Sequence, residues 1–341
     1  MRGLYGYIVR RLLLAALVIV SVGVITFFVA RVLPSNPAAL YAGSRPTAEQ
    51  LQRIRETMGL DDPLPIQFWH YLSDMLRGDL GVSFRTRQPI SSELGRRLPA
   101  TLELVTVGTV FALLIGVPLG VVSAWRPGKL FDQFTRVVAI GGVSLPSFWL
   151  ALLFQLFFFG RLRLLPLAGR IDNIVSLEYP IRQITGFYLI DAAATGNWVA
   201  FKSAALHLIL PAVVLSLYSL SLSARMTRAK MLEVLSQKYI VAARALGLSE
   251  GTIYGRLALK NAIIPTLTVV GLSFAWSITG AFLIEVVFNW PGVGQYVADA
   301  IVTVDFPVIV AVASVVAVTY VVINLAVDLL TSAIDPRVKL G

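Results

Sequence analysis

Long apolar segments alternate with polar ones along the whole chain. Each apolar segment is about 20 residues long and carries almost no charge, which is the length that a helix needs to cross the ~30 Å hydrocarbon core of a bilayer. The pattern predicts an all-α polytopic membrane protein with six transmembrane helices, at residues 10–32, 103–124, 137–160, 205–223, 266–288 and 307–331.

The first apolar segment follows Arg10 and Arg11, as the apolar part of an export signal would. It continues unbroken from Leu12 to Ala30, which is longer than a typical signal segment, and residues 32–39 show no clear small-residue cleavage site. We therefore expect this segment to be retained, so that residues 1–32 contain the first transmembrane helix.

A polar stretch, residues 33–98, separates the first two predicted spans. Leu51, Ile54 and Met58 recur at helical spacing, and a turn at 59–65 interrupts this pattern before it resumes. The stretch is predicted to form a small helical external domain. Two roles stay open for it: a cap on the helix ends, or a platform for an external partner.

The composition agrees with a membrane location. Hydrophobic residues make up 57% of the 341 residues and charged ones 14%, which is more apolar surface than a soluble domain of this length could bury. Cysteine is absent, which excludes a disulfide framework, a thiolate nucleophile and a cysteine-ligated metal. The two histidines, His70 and His207, lie far apart along the chain, so no metal site is predicted.

Lysine and arginine are concentrated in alternate short loops. They precede the first span, occupy the loop between the second and third spans, and are most numerous in residues 224–265, whereas residues 289–306 contain none. The positive-inside rule then places the N-terminus, residues 224–265 and the tail at 336–341 in the cytoplasm. The net charge of +10 follows from this topology and from contact with anionic lipid, so the lipid bilayer is the predicted partner and nucleic acid is not.

The most distinctive polar segment, residues 239–265, has the pattern of two short helices joined by a tight turn. Gly247 falls where a left-handed cap would end the first helix. Ser249 can cap the next helix, and Glu250 is favourable in its first turn. The second helix is predicted over residues 250–263, and the proline that follows it marks the start of the fifth span.

Small and basic residues give this hairpin the character of a docking site. Ala242 and Ala243 allow a partner backbone to approach closely, and Arg244, Arg256 and Lys260 form a basic rim that favours an acidic surface. A plain cytoplasmic linker would not need these features together with the sharp turn at Gly247. We therefore predict that the hairpin docks a soluble partner.

The hairpin resembles the EAA loop of ABC-importer permeases, whose core is two alanines followed after three residues by a glycine, here Ala242, Ala243 and Gly247. Two features depart from the pattern, because Val241 replaces the leading acid and the terminal Ile-Pro pair falls later, at residues 264–265. A wider resemblance rests on the strings GLDDPLPIQFWHYL, LRGDLGVSF, RRLPATLEL, GVSLPSFWLALL, AFLIEVVFNWPGVGQYVADAI, DFPVI and NLAVDLLTSAIDPRV. Through them nearly the whole chain resembles the dipeptide, oligopeptide and nickel permease family, specifically its DppB/OppB-like subunit.

This resemblance implies an importer in a bacterial or archaeal cytoplasmic membrane. Its parts would be this chain, a second homologous permease subunit, cytoplasmic ATPase subunits and an extracytoplasmic solute-binding protein. Residues 99–341 would form the type-1 permease core, with residues 224–265 as its coupling loop. No GxxxxGK[ST] phosphate loop occurs, so this chain is expected to be no enzyme and to hold no cofactor, with ATP and Mg bound by the ATPase subunits.

By the same resemblance, the turn of the hairpin would be the coupling helix that sits in a groove of the ATPase. ATP-driven closure of the ATPases would then move the fourth and fifth transmembrane helices. The residues assigned to this coupling are Ala242, Ala243, Arg244, Gly247, Leu248, Ser249 and Glu250.

A second set of candidates lies along the predicted transport pathway. Glu285 is an ionisable residue near the outer end of the fifth span, which makes it a functional candidate, with Asn289 just beyond it. A carboxylate that packs at a helix end or gate is the alternative reading. Pro146, beside Ser147, and Pro211 are predicted to break helices where these line or flank the pathway.

Two other classes of protein were weighed. An ion-coupled secondary carrier would need midplane carboxylates and inverted repeats, and an intramembrane enzyme would need a motif such as HExxH or GxSxG; neither is evident in the chain. For the importer, dipeptides or longer peptides are the first choice of substrate. Nickel chelates, glutathione and oligosaccharides stay open as alternatives.

Overall fold

Helices form nearly all the regular structure of the computed structural model, which describes residues 2–29, 37–42, 46–57 and 59–334. The last residues of the predicted first span, 30–32, and the predicted cytoplasmic tail, 336–341, lie outside these ranges. The helices are α1 (Arg2–Phe27), α2 (Pro37–Ala42), α3 (Ala48–Thr57), α4 (Leu64–Leu76), α5 (Ile90–Trp125), α6 (Leu130–Ser144), α7 (Ser147–Phe154), α8 (Asn173–Glu178), α9 (Tyr188–Ala194), α10 (Trp198–Leu235), α11 (Lys238–Ala245), α12 (Glu250–Thr252), α13 (Leu259–Val287), α14 (Val293–Val302) and α15 (Phe306–Ile334).

Two π-helical segments are bounded by described residues on both sides. Gln155–Arg161 continues α7, and Ile253–Ala258 joins α12 to α13. In the described part of the chain, five helices are long and apolar enough to cross a membrane: α1, α5, α10, the continuous helix Glu250–Val287, and α15. The bent pair α6 and α7 makes a sixth span if the two helices cross the bilayer together.

The third predicted span is therefore not one straight helix over 137–160. It is broken between α6 and α7, which are bent by 111°. Pro146 causes the break, because a proline restricts the residue before it to extended backbone and has no N–H to donate. Leu145 accordingly adopts φ −92° and ψ 137°, which ends α6.

Two other expectations about prolines were wrong. Pro211 does not break a helix, since it is buried inside the uninterrupted α10. Pro265 does not mark a helix start, because α13 begins at Leu259 and runs through it. Packed neighbouring helices tolerate such prolines in membrane spans. For the same reason the second helix of the hairpin does not end at residue 263 but continues into the fifth span.

Contacts group the chain into two compact units. The first contains Met1–Ala100 and Pro291–Leu325, and the second contains Thr101–Trp290 and Ala326–Gly341. In the first unit α4 packs on α1 through an edge-on contact of Phe27 and Phe68, with ring centroids 5.3 Å apart. The predicted helices on either side of the turn at 59–65 are confirmed as α3 and α4.

A buried carboxylate orders the loop that precedes α5 in the first unit. Asp305 is 2% exposed and accepts hydrogen bonds from the Ser83 hydroxyl and from the backbone N–H groups of Phe84 and Arg85. A buried apolar cluster that joins α5, α14 and α15 completes this unit. Its members are Ile90, Leu94, Val293, Tyr296, Ala300, Val308, Ala311 and Val312.

In the second unit α5 lies in close contact with α10. A Cβ atom added at Gly120 would lie 2.6 Å from the Ala224 carbonyl oxygen and 2.6 Å from the Thr227 Cβ, so only glycine allows this approach. Buried hydroxyl pairs then join α10 to α13, with Ser219 Oγ 3.1 Å from Ser273 Oγ. Small residues and interhelical hydroxyl bonds are the usual means by which helices associate in membranes.

A buried ion pair holds the long connection between α7 and α10 against α5. Arg170 donates to Glu103, with 3.1 Å between Nε and Oε2, and both side chains are about 95% buried. Arg170 also donates to the Gly186 carbonyl, and its guanidinium lies 3.7 Å from the centroid of the Tyr188 ring. The remaining Glu103 oxygen accepts from the backbone N–H of Leu189 at 2.8 Å. The pair therefore has partners on every side.

Within the same connection, Asp191 closes a tight turn. It accepts hydrogen bonds from the Thr185 hydroxyl and from the backbone N–H groups of Ile184, Thr185 and Gly186. Burial alone would raise the pKa of Asp191, but these hydrogen bonds outweigh the desolvation and lower its pKa below the ordinary value. The carboxylate is thus held ionised as the acceptor that orders the turn.

We expect Gly120→Val to destabilise the second unit, because the added side chain would meet the α10 backbone and force α5 away from it. Overpacking of this kind costs about 1–3 kcal/mol. The control is Gly95→Val on the same helix, where an added Cβ meets nothing within 4 Å. Thermal unfolding of the two variants in detergent measures the difference, and equal melting temperatures would contradict the packing described here.

We expect Glu103→Leu to cost about 3–5 kcal/mol, because it leaves the Arg170 charge buried without its partner. The double variant Glu103→Leu with Arg170→Met removes both charges and should be more stable than Glu103→Leu alone. Glu233→Ala is the matched control, since it breaks the exposed pair with Lys230 and should cost under about 1 kcal/mol. Thermal unfolding ranks the variants; a double variant no more stable than the single one would refute the argument.

Candidate functional site

The hairpin of α11 and α12 is closed by a left-handed glycine. Gly247 adopts φ +79°, as the sequence predicts. Its N–H donates to the Arg244 carbonyl at 2.9 Å, and the N–H of Leu248 donates to the Ala243 carbonyl at 3.2 Å. These bonds satisfy carbonyl groups at the end of α11, which is the usual role of a left-handed C-terminal cap.

The start of α12 also follows the prediction. The Ser249 hydroxyl accepts from the N–H of Thr252 at 3.3 Å, and Glu250 lies in the first turn. Glu250 pairs with Arg244 across the turn, with 3.0 Å between Arg244 Nε and Glu250 Oε1. This hydrogen bond raises the pKa of the Arg244 guanidinium. Arg244 therefore braces the hairpin internally, and the predicted contact of its charge with an acidic partner stays a prediction.

A buried apolar cluster supports the hairpin from beneath and connects it to the ends of α5, α10 and α13. Its members are Ala124, Met231, Ile240, Ala243, Ile253, Ala258 and Ala262. Ala243 is 6% exposed and belongs to this cluster, whereas Ala242 lies on the surface. The two alanines of the EAA-like string thus have different surroundings: one packs inside, and the other faces outward.

Large apolar side chains are exposed on the opposite side of the hairpin. Leu246 is 82% exposed and Val241 is 60% exposed, and Tyr239 and Leu248 are also largely exposed. Arg256 and Lys260 lie exposed nearby. An exposed apolar patch with a basic rim, held on a rigid base, is typical of a surface that another protein covers.

A network of charges at the base of α6 was not found from the sequence. Asp132 is fully buried and accepts two hydrogen bonds from Arg228, of 2.6 and 2.9 Å, and one from Arg136 at 3.0 Å. The Ser123 hydroxyl and the N–H of Gly128 complete its coordination. From the sequence, Arg136 and Arg228 were interpreted only as positive charges in short loops. The spacing of Asp132 and Arg136 could have revealed one bond, but Arg228 lies 96 residues away and has no local signal.

Pro146 and Ser147 lie at the bend between α6 and α7. Ser147 lines a cleft of about 210 Å³ that is also bordered by α10 and α13. Ile284 lines the same cleft, one residue before Glu285. Pro211 is buried in α10 and is not among the residues that line this cleft.

Glu285 is fully buried at the end of α13. The side-chain Oε1 of Glu285 accepts a hydrogen bond from the Thr101 hydroxyl of α5 at 2.6 Å. The backbone carbonyl of Glu285 accepts a hydrogen bond from the N–H of Trp290 at 2.8 Å. Asn289 is exposed in the turn beyond α13, with φ +47°, although Phe288 and Trp290 on either side of it are buried. The structure thus places Glu285 and Asn289 in different environments. The hydrogen bond to Thr101 fits a carboxylate that joins two helices.

The described residues contain no group of three or more His, Asp or Glu side chains that could hold a metal ion. His207 Nδ1 lies 2.8 Å from the carbonyl oxygen of Ser203, one turn earlier in α10. The functional candidates among the described residues lie on exposed surfaces and in clefts.

The chain matches known protein families in two segments. Residues 116–340 match the family described as binding-protein-dependent transport system inner membrane component, and residues 4–105 match the N-terminal part of such membrane components. Two segments of this kind cover nearly the whole chain.

Curated relatives match over almost their full length. The probable D,D-dipeptide transport system permease protein DdpB of Escherichia coli is 46% identical over 326 residues, which is 95% of each chain. The dipeptide transport system permease protein DppB of Alkalihalophilus pseudofirmus is 42% identical over 98% of this chain and 99% of its own length. The di/tripeptide transport system permease protein DppB of Pseudomonas aeruginosa is 38% identical over 98% of each chain. This chain therefore belongs to the family of binding-protein-dependent transport system inner membrane components.

Proposed function

We propose that this protein is a permease subunit of an ATP-driven importer that takes up dipeptides or oligopeptides. It would form half of the translocation pathway, with a second homologous permease subunit as the other half. The observation that carries this proposal is the hairpin around Gly247, whose apolar face is exposed although its base is fully packed. The names of the relatives, all peptide permeases, support the substrate class.

The proposed topology follows from the distribution of positive charge. The N-terminus and the hairpin face the cytoplasm, and the connection between α7 and α10 lies on the outer side with the domain between α1 and α5. The membrane would be the cytoplasmic membrane of a bacterium or archaeon. A solute-binding protein would deliver its cargo to the outer side, and the ATPases would bind ATP and Mg on the inner side.

The hairpin is suited to transmit force because it cannot move independently of the helices. Ile240 and Ala243 of α11 pack on Met231 of α10 and on Ile253, which leads directly into α13. Displacement of the hairpin by a closing ATPase would therefore move the ends of α10 and α13 with it. Leu246 and Leu248 would provide the apolar contacts to the ATPase.

We further propose that the pathway is flanked by Pro146, Ser147, Pro211, Glu285 and Asn289. The cleft at Ser147 and the burial of Glu285 between α5 and α13 support this assignment. Nickel chelates, glutathione and oligosaccharides are the alternative cargoes of the same machinery.

Reconstitution tests the proposed function. The complete complex of two permeases and two ATPases is reconstituted in proteoliposomes. It should transport labelled dipeptide only when ATP is present on the side that the ATPases face and binding protein loaded with dipeptide is present on the opposite side. Unlabelled nickel chelate, glutathione and oligosaccharide serve as competitors and should not reduce the uptake. Uptake by this chain alone, or uptake that an ionophore abolishes without ATP depletion, would contradict the proposal.

Substitution of Gly247 tests the coupling surface. Gly247→Val should reduce uptake by about tenfold or more, because a β-branched residue with positive φ is strained by roughly 1–2 kcal/mol and disrupts the turn. Gly247→Asn should retain most of the uptake, since asparagine tolerates the left-handed region. Both variants should reach the membrane in normal amounts. ATP-dependent uptake is measured for each, and wild-type uptake by Gly247→Val would rule out this turn as the coupling element.

A further inference from the structure

The cleft at the bend between α6 and α7 is neutral but not wholly apolar. Its volume is about 210 Å³, and the helices α6, α7, α10 and α13 all contribute to its wall. The described residues that line the cleft are all uncharged. Three of them, Ser147, Tyr218 and Ser277, carry hydroxyl groups. A cavity of about 150 Å³ is large enough to hold benzene, so this cleft can accept an aromatic ring.

The break between α6 and α7 makes it unfavourable for lipid acyl chains to be the only molecules that fill this cleft. The first N–H groups of an α-helix have no partner within the helix, and no side chain caps the start of α7 at Pro146. Within a membrane, interrupted backbone of this kind is tolerated where it is buried in protein or lines a water-filled cavity. The bend therefore favours a hydrated cleft over one filled by acyl chains.

Gly280 leaves the space in this cleft open. It lines the cleft, yet a Cβ atom added to it would meet nothing within 4 Å. At Gly142, on the opposite wall, an added Cβ would lie 2.5 Å from the Ser221 hydroxyl, so close helix packing requires that glycine. Packing makes no such demand at Gly280, although glycine weakens a helix interior relative to alanine. The absence of a side chain at Gly280 therefore keeps the volume of the cleft open.

Aromatic rings border this volume. Trp276, one turn before Gly280 on α13, is 60% exposed, and Tyr218 of α10 is 42% exposed. Exposed aromatic rings beside hydroxyl groups suit a neutral solute with apolar and polar parts.

We propose that this cleft receives an uncharged side chain of the transported peptide, and that Gly280 is a specificity-determining residue that limits the size of that side chain. The inference rests on the proposed function of peptide import. Trp276 and Tyr218 contact the side chain, and the Ser147 hydroxyl is offered to water or to the peptide backbone. The Ser277 hydroxyl donates to the Ser273 carbonyl at 2.8 Å, so its oxygen serves as an acceptor.

Graded filling of the cleft tests the proposal. In the reconstituted complex, Gly280→Ala and Gly280→Leu should progressively lower uptake of the bulky dipeptide Phe-Ala relative to the small dipeptide Gly-Ala, with at least a tenfold fall of that ratio in Gly280→Leu. The control is Gly141→Leu, since an added Cβ there also meets nothing within 4 Å but the residue does not line the cleft. Stimulation of ATP hydrolysis by loaded binding protein should persist in all variants, which shows that they are folded and coupled.

An unchanged uptake ratio in Gly280→Leu, or an equal change in Gly141→Leu, would overturn the inference while wild-type uptake still supports peptide import. Absence of ATP-dependent peptide uptake in the wild-type complex would instead overturn the proposed function itself. The two failures are thus distinguishable.

Cysteine labelling gives a second, independent measurement, because the natural chain contains no cysteine. Ser277→Cys should react with a charged thiol reagent in intact membranes, and Phe-Ala supplied during turnover should slow this reaction at least threefold. Leu283→Cys on the same helix is exposed but outside the cleft, and should show no such protection. Reaction of Ser277→Cys only with a lipid-soluble maleimide, or reaction without protection, would show that lipid or the second permease fills the cleft and would overturn the proposal.

Discussion

Backbone hydrogen bonding is the constraint on which this structure depends. In a bilayer, peptide groups have no water to bond to, so each span must be helical and any interruption must be sheltered. Helices then associate through close backbone contact and hydroxyl bonds, as α5, α10 and α13 do at Gly120 and at the Ser219–Ser273 pair. Among the described residues, one pair of helices is long and apolar enough to span the membrane together but is strongly bent, and its bend at Pro146 coincides with a neutral cleft. Deviation from the regular fold thus marks a place where function can reside.

Buried ion pairs add a second kind of stabilisation to the close packing of the helices. Glu103 and Asp132, which are buried in the second unit, each bind an arginine that is distant in the sequence and also accept hydrogen bonds from backbone or hydroxyl donors. Such groups are costly to bury alone but hold connections in one geometry once they are fully paired. Arg170 orders the connection after α7, and Arg228 fixes α10 to the base of α6. The packed cluster at Met231 then transfers that rigidity to the hairpin.

The sequence predicted the features that depend on local chemistry. Among the described residues, hydrophobic length located five spans, and a bent pair of helices stands where a single third span was predicted. The glycine and serine of the hairpin predicted the left-handed cap and the helix start, because those roles depend mainly on residue type. The sequence was a less reliable guide to helix breaks at prolines, since Pro146 breaks a helix whereas Pro211 and Pro265 do not. The outcome depends on neighbouring helices that no local pattern reveals. Long-range pairs such as Glu103 with Arg170 were inaccessible for the same reason.

The uninterrupted helix from Glu250 to Val287 has a mechanical consequence. Its 38 residues form a rod of about 57 Å at 1.5 Å per residue, nearly twice the ~30 Å thickness of the hydrocarbon core. A tilt of about 5° around one end would shift the other by roughly 5 Å, one helical turn. A small movement at the hairpin could therefore be amplified at the far end of the same helix, where Glu285 is buried.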